Sequence, residues 1–442
     1  MSLTPPDTVR KLQETLHAKA KRSPTYRFYA LYDKVYRADV LSHAYTCCAA
    51  NDGAAGVDGQ TFADVEAYGA ARWVGELAEE LRNKRYRPQA VRRVYIPKAD
   101  GKQRPLGIPT IRDRVVQMAA LLVLEPIFEA DLQPEQYAYR QGRSALDAIV
   151  QVQALLNDGH TEVVDADLSG YFDSIPHAEL MKSAARRLSD SQVLALIKSW
   201  LEAPVEEHGD RGDKRRTTRN KDEGRGTPQG GVLSPLLANL YMRRFVLSWK
   251  AHGHEQRLDA HIVNYADDFV ICCRGTAAEA EALMRNLMSR LRLTVNETKT
   301  RVCSLPEGSF TFLGYTFGLN WSPRTGRSYI GPRPSVKKIR AIGQTIREQT
   351  SPKWGWLAPE AMVNRINRQL VGWANYFCLG NAYPALHQVM THTCQRLRQW
   401  LGRAHRVQGS DRARYSDRYL REELGLVWLP ARPRPRLLWA KA

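Results

Sequence analysis

The chain has 442 residues, with 65 Lys and Arg against 46 Asp and Glu and a formal net charge of +19 at pH 7, so two to four domains are expected and a polyanionic partner is favoured. Its 43% apolar content excludes wholesale disorder; the lack of any apolar run of about 18 residues excludes a membrane-spanning helix, and Met1-Ser2-Leu3-Thr4-Pro5-Pro6 lacks the apolar segment of a secretory signal. Seven cysteines, two of the pairs adjacent (Cys47-Cys48 and Cys272-Cys273), show no C-x-x-C spacing, which argues for reduced thiols, a cytoplasmic setting and no structural zinc.

Residues 1–90 read as mostly helical and basic, with Lys19, Lys21, Arg22, Arg27 and Lys34 near Tyr26, Tyr29, Tyr32 and Tyr36. Such interleaving suits single-stranded nucleic acid, and it equally suits a helix packing its tyrosines inward. Residues 86–109 alternate like strands around Asp100-Gly101, a hairpin signal. Glu162–Asp167 reads as a short strand, and Asp173-Ser174 before Ile175-Pro176-His177 as a helix start. Residues 205–226 are polar and charged and read as a solvated loop. Ser234-Pro235 opens a helix with Ser as N-cap and Pro in the first turn. Ile262 to Cys273 is apolar except for Asn264 and Asp267-Asp268, which predicts two buried strands joined by an acidic turn. Thr276 and Glu279 have capping-box spacing, followed by Leu283, Met284, Leu287, Met288 and Leu291 on a helical period. A strand near 299–303 closes the set, giving a split β-α-β arrangement of four strands backed by helices. After a Gly/Pro-rich stretch at 322–334, helices are expected near 335–349, 359–377 and 384–404. Residues 401–442, with Arg432-Pro433-Arg434-Pro435-Arg436, read as a loosely ordered basic tail.

Two adjacent carboxylates between apolar strands repel each other and lose hydration unless a cation neutralises them. Asp167 ends another apolar run 100 residues earlier, on a strand expected beside the Asp267-Asp268 turn. Three carboxylates together form an all-oxygen site suited to Mg²⁺, and two such ions suit in-line phosphoryl displacement.

Tyr265-Ala266-Asp267-Asp268 resembles the Y-x-D-D box of reverse transcriptases, and Asp167-Leu168-Ser169-Gly170-Tyr171-Phe172-Asp173 resembles their first metal-binding motif. Gly226-Thr227-Pro228-Gln229-Gly230-Gly231-Val232-Leu233-Ser234-Pro235 is similar to the template and nucleotide motif of group II intron reverse transcriptases. Ile96-Pro97-Lys98 with Arg104-Pro105-Leu106-Gly107-Ile108-Pro109 resembles the fingers motif of the same group. Ile366-Asn367-Arg368-Gln369-Leu370-Val371-Gly372-Trp373-Ala374-Asn375-Tyr376-Phe377 resembles the maturase segment that serves as their thumb. Neither paired C-x-x-C nor clustered His follows it, so the H-N-H endonuclease of many relatives is expected to be absent, as in compact bacterial members.

The resemblance implies an α+β right-hand polymerase: an N-terminal extension (1–70), fingers (71–160), a split β-α-β palm (161–325), a helical thumb (326–405) and a basic C-terminal tail (406–442). It implies two Mg²⁺ ions, with Mn²⁺ able to substitute, on Asp167, Asp267 and the Leu168 carbonyl, with Asp268 as a secondary ligand. Phe172 matches the steric gate that excludes a 2′-hydroxyl, or is a core Phe. Lys98 and Arg104 would grip the triphosphate, Gln229 would lie against nucleotide and template, and Gly230 and Gly231 would let backbone approach closely. Lys299 matches the lysine that protonates departing pyrophosphate, or is a plain surface lysine. Phe312-Leu313-Gly314 resembles the primer grip, or is core strand, and Arg365 and Arg368 are expected to be free for RNA phosphates. The implied activity is RNA-templated addition of dNMP to a DNA primer 3′-hydroxyl, with dNTPs, RNA template, DNA target and group II intron RNA as partners in splicing and retrohoming. A domesticated enzyme of DNA repair or phage defence, and an RNA-binding maturase with secondary polymerisation, are the alternatives.

Overall fold

In the computed structural model the described residues are 3–97, 101, 103–208, 213–322, 325–404 and 414–431. Their strands are β1 (Val91–Pro97), β2 (Gln103–Ile108), β3 (Glu162–Asp167), β4 (Val205–His208), β5 (Lys214–Thr217), β6 (Ala260–Tyr265), β7 (Asp268–Cys273), β8 (Arg301–Ser304), β9 (Phe310–Phe312), β10 (Tyr315–Ser322) and β11 (Arg327–Pro334). They form sheets ordered β2-β1-β4-β5, β6-β7-β3-β8 and β11-β10-β9. The chain divides into two compact units, each built from separated stretches of sequence.

The first unit comprises 1–143, 167–253 and 282–296. At its centre runs the helix Ile111–Glu129, buried around most of its circumference by Ile111, Val115, Val116, Ala119, Val123, Leu124, Ile127 and Phe128. A helix apolar all round can only be stable when others wrap it; here Asp7–Arg22 and Ala38–Asn51 pack on it. Its N-terminus is fixed by polar chemistry. Buried Asp113 accepts hydrogen bonds from Tyr86 Oη (2.6 Å), Thr110 Oγ1 (2.8 Å) and the Gln89 amide (3.0 Å). Burial pushes the Asp113 carboxyl above its usual range, and these donors stop the group from being an uncompensated charge. The β1–β2 hairpin forms as predicted, with Pro97 paired to Gln103. The expected loop at 205–226 is in part structure: β4 pairs parallel to β1 and antiparallel to β5. Val205-Glu206-Glu207-His208 and Lys214-Arg215-Arg216-Thr217 carry consecutive charges rather than an apolar alternation, so no period marks them.

The second unit comprises 144–166, 254–281 and 297–442. Its four-stranded sheet has the order expected of a split β-α-β unit, β3 lying between β7 and β8. The Gly/Pro-rich stretch is a strand hairpin, β10 and β11 pairing from Tyr315–Pro334 to Ser322–Arg327. Three helices, Val336–Gln349, Pro359–Tyr376 and Tyr383–Ala404, follow within two residues of the predicted bounds. They share one apolar core through Ile342, Ile346, Ile366, Leu370, Leu386, Met390 and Leu397. The predicted basic tail is corrected: residues 414–431 contribute Tyr415, Leu420, Leu424, Leu426 and Leu429 to that core. The Arg-Pro run at 432–436 lies outside the described residues.

One helix-start reading is also corrected. Ser234 is the first helical residue, not the cap. Leu233 holds the N-cap position without a side-chain bond, and Ser234 Oγ donates to the Pro228 carbonyl at 2.9 Å. A helix does start after Asp173-Ser174, His177–Ala185 with Pro176 as N-cap, while Asp173-Ser174 itself closes a short preceding helix, Tyr171–Ser174. Among the described residues no helix is long and apolar enough to cross a membrane.

Candidate active site

The acidic turn sits where β6 meets β7. Val263, Asn264, Phe269, Val270 and Ile271 are wholly or almost wholly buried, and the strands pair through Tyr265 and Asp268. That leaves Ala266 and Asp267 as a two-residue turn. Ala266 has φ of +60°, a left-handed conformation that costs a residue with a Cβ roughly 1–2 kcal/mol. Asn264 Nδ2 offsets part of this by donating to the Ala266 carbonyl at 2.9 Å. Asp267 and Asp268 are half-buried. Tyr376, at the end of the helix Pro359–Tyr376, is held nearby: its phenol is pushed up to about 12, chiefly by burial, then by Tyr265 and the Asp268 carboxylate. Its hydroxyl donates to the Leu313 carbonyl at 2.7 Å. Tyr376 stands in the quoted thumb motif, but only the folded chain gives it this position.

Asp167 is the last residue of β3, which neighbours β7 in the sheet. Its Oδ2 accepts from Asn296 Nδ2 (2.9 Å) and its carbonyl from the Asn296 amide (2.8 Å). Leu168 bridges Val295, and the Ser169 amide donates to the Thr294 carbonyl at 2.8 Å. Asn296 thus orients the Asp167 carboxylate; sequence reading gave it no role. Gly170, at φ +57°, then turns the chain into the short helix bearing Phe172.

Phe172 is half-buried with its ring edge-on to Tyr171 at 5.7 Å. Its carbonyl accepts from the Thr227 amide at 2.7 Å. Gln229 is brought to the same place, its Nε2 donating to Asp173 Oδ2 at 3.2 Å. Burial raises the Asp173 carboxyl, while Arg93 and Arg219 oppose that shift. The Gln229 carbonyl accepts from the Gly107 amide at 2.5 Å, tying this loop to β2. Arg104 is exposed three residues earlier on β2, opposite Ile96. Lys98 lies outside the described residues.

Gly230, at φ +112°, is positioned so that a Cβ would collide with the Gly107 carbonyl oxygen; at Gly231 a Cβ would come 2.7 Å from Ser234 Oγ. The first obstacle is backbone and cannot swing away. Gly230→Ala is therefore expected to cost more than about 1 kcal/mol and to displace Gln229 from Asp173. Thermal denaturation and nucleotide affinity measured on one preparation check both effects.

The remaining residues are scattered. Lys299 lies in an exposed turn. Phe312 is fully buried, so its side chain belongs to the core, while Leu313 (φ +50°) and Gly314 (φ +85°) form the turn into β10. The Arg365 guanidinium stacks on Trp354 at 4.0 Å, a cation–π contact that corrects the expectation of a free side chain. Arg368 is exposed and, with Asn364, Asn367, Val371 and Asn375, lines a shallow depression along its helix.

The family model for reverse transcriptase (RNA-dependent DNA polymerase) matches residues 96–317, and that for the group II intron, maturase-specific domain matches 339–420. The chain is 35% identical over 344 residues to Protein YkfC of Escherichia coli (strain K12), covering 70% of this chain and 87% of that protein. It is 26% identical over 363 residues to the Group II intron-encoded protein LtrA of Lactococcus lactis subsp. cremoris, covering 68% of this chain and 58% of LtrA. A shorter match, 33% over 111 residues, is to Nuclear intron maturase 2, mitochondrial, of Arabidopsis thaliana, spanning 25% of this chain and 15% of that one.

Proposed function

We propose a mechanism from one premise: the chain belongs to the reverse transcriptase (RNA-dependent DNA polymerase) family, of the group II intron-encoded kind with a maturase-specific domain. In this reading it extends a DNA primer on an RNA template, adding dNMP and releasing pyrophosphate. The observation that carries it lies inside the matched span: β3 ends in Asp167 and its hydrogen-bonded neighbour β7 begins at Asp268.

Carboxylate and carbonyl oxygens such as those of Asp167, Asp267 and Leu168 suit a hard divalent ion. Asp167, Asp267 and the Leu168 carbonyl would hold two Mg²⁺ ions, with Asp268 supporting and Mn²⁺ able to substitute. Such a pair supplies a lowered pKa for the attacking 3′-hydroxyl and charge neutralisation for the leaving pyrophosphate. Asn296 holds the Asp167 carboxylate through its side-chain amide. Gln229, fixed by Asp173 and by Gly107, presents its amide edge to the incoming base pair. Arg104 contributes a bidentate fork to the triphosphate, Lys98 a second positive charge, and Lys299 a proton donor. Leu313 and Gly314, clasped by Tyr376, hold the primer end with Phe312 as the buried anchor. The fingers, palm and thumb at 71–160, 161–325 and 326–405 are part of the same reading.

Primer extension with purified protein tests it: an RNA template, a DNA primer and dNTPs should give full-length DNA only with a divalent ion. Phe172, whose neighbour Asp173 holds Gln229, acts as the sugar gate. Phe172→Ala is expected to raise ribonucleotide incorporation by about 10–100-fold, the range for removing a contact worth ~1.4–2.7 kcal/mol. Unchanged dNTP/NTP selectivity would remove Phe172 from that role.

Intron RNA binding is the companion activity, favoured by the maturase-domain match and by the exposed polar face carrying Arg368. Phosphates of structured RNA would lie along that face, and affinity should fall steeply with salt.

A further inference from the structure

The second unit contains a cluster that polymerisation does not use. His160, in the connection leading into β3, meets Asp259 and His261 at the start of β6; one ligand atom from each lies within 4.8 Å of the others. His160 Nε2 is 3.0 Å and His261 Nε2 3.4 Å from the same oxygen, Asp259 Oδ1. These groups lie at the opposite ends of β3 and β6 from Asp167 and the acidic turn, roughly 20 Å of six-residue strand away.

The other nitrogen of each ring decides what faces the carboxylate. His160 Nδ1 is 3.2 Å from the Leu155 carbonyl, with Asp158 Oδ2 at 3.6 Å. His261 Nδ1 is 3.1 Å from Glu255 Oε1. A carbonyl and a carboxylate only accept, so both Nδ1 atoms must be donors. Both Nε2 atoms then converge on Asp259 Oδ1, where either a proton on each ring or one shared metal ion can join them to the carboxylate. Arg274 lies on the other oxygen, Oδ2, at 3.5 Å.

We propose that His160, Asp259 and His261 bind a zinc-class transition-metal ion through Nε2, Oδ1 and Nε2. Ligands at about 2.0–2.1 Å around a tetrahedral ion are about 3.3–3.4 Å apart, close to the two separations found. Imidazole with one carboxylate favours Zn²⁺ over Mg²⁺. The outer partners complete the pattern: ligating histidines characteristically donate their second N–H to a backbone carbonyl or a carboxylate, here Leu155 and Glu255. Water takes the fourth position. The ion staples the edge strand β6 to the segment entering β3, a structural role independent of the polymerase reading.

The test uses the full chain, stripped with chelator and kept in excess Mg²⁺. Zn²⁺ is titrated against a chromophoric chelator, and Co²⁺ is added separately for its visible spectrum. One Zn²⁺ per chain, a Co²⁺ band of four-coordinate intensity and a raised melting temperature are expected. His261→Asn, on a partly exposed side chain, should abolish all three. Glu255→Gln should weaken Zn²⁺ about 10–100-fold. Asp267→Asn should bind Zn²⁺ as the parent does, which separates this site from the polymerase carboxylates. Absence of a stoichiometric Zn²⁺, or equal binding by the parent, His261→Asn and Asp259→Asn, would overturn the proposal.

Discussion

Asp267→Asn is expected to abolish primer extension, a fall of at least about 10³-fold, with the melting temperature unchanged or slightly raised. The rate effect follows from charge. A divalent ion contributes several kcal/mol of transition-state stabilisation, and each 1.36 kcal/mol lost is about tenfold; a neutral amide cannot hold the ion as a carboxylate does. The stability effect has the opposite sign. Asp267 stands beside Asp268 at the end of two buried strands, and removing one of two adjacent like charges relieves repulsion. The substitution keeps the size of the side chain and leaves the Asn264–Ala266 bond of the turn in place. Asp268→Asn should lower the rate less, as befits a supporting ligand. The measurement is single-nucleotide extension across a Mg²⁺ titration, with circular dichroism on the same samples. Full activity in Asp267→Asn would end the polymerase reading.

Those carboxylates were legible because their strands are. Ile262–Val263 and Phe269–Ile271 are short apolar runs separated by a segment carrying Asn264 and the Asp267-Asp268 pair, a pattern that suits a buried hairpin with a charged turn. The helices after 335 were legible for a similar reason: a 3.6-residue apolar period persists through Ile342–Ile346, Ile366–Leu370 and Leu386–Met390. Pattern failed where no apolar alternation marks the strands or where loop-type residues interrupt them. β4 and β5 carry consecutive charged residues, and β10 and β11 contain Gly and Pro that usually signal loops; pairing along the hairpin overrides local preference there. Positions fixed by distant partners left no trace at all. Asn296 on Asp167, Tyr376 on Leu313, and His160 with Asp259, 99 residues apart, depend on which strand ends meet. Cysteine spacing argued against structural zinc, yet it can say nothing of a site made from histidines so far apart. Ser234 shows the converse error, a good capping residue next to Pro that lies one position too late.

Ending the chain after residue 404 is expected to unfold the helical module of the second unit, although the residues removed read as a basic tail. Residues 414–431 bury Tyr415, Leu420, Leu424, Leu426 and Leu429 against the three long helices. Truncating a single buried Leu to Ala costs about 2–5 kcal/mol, and a domain is stable by only about 5–15 kcal/mol, so losing five such side chains exceeds what the module can spare. Polar contacts act in the same direction. Asn367 clasps the returning segment twice, donating to the Gly425 carbonyl at 2.9 Å and accepting from the Val427 amide at 3.0 Å. Arg398 Nε donates to the Tyr415 carbonyl at 2.7 Å. Without 414–431 those polar groups lose their partners and the apolar face of Tyr383–Ala404 meets water. The milder variant Leu429→Ala should remain folded with stability reduced by about 2–5 kcal/mol, read as an earlier denaturant midpoint with unchanged slope. Limited proteolysis of the shortened chain should cleave within 336–404 while the β6-β7-β3-β8 sheet stays protected. If the chain ending at 404 instead melts like the parent and keeps its RNA affinity, the segment is dispensable and the core described for it is wrong.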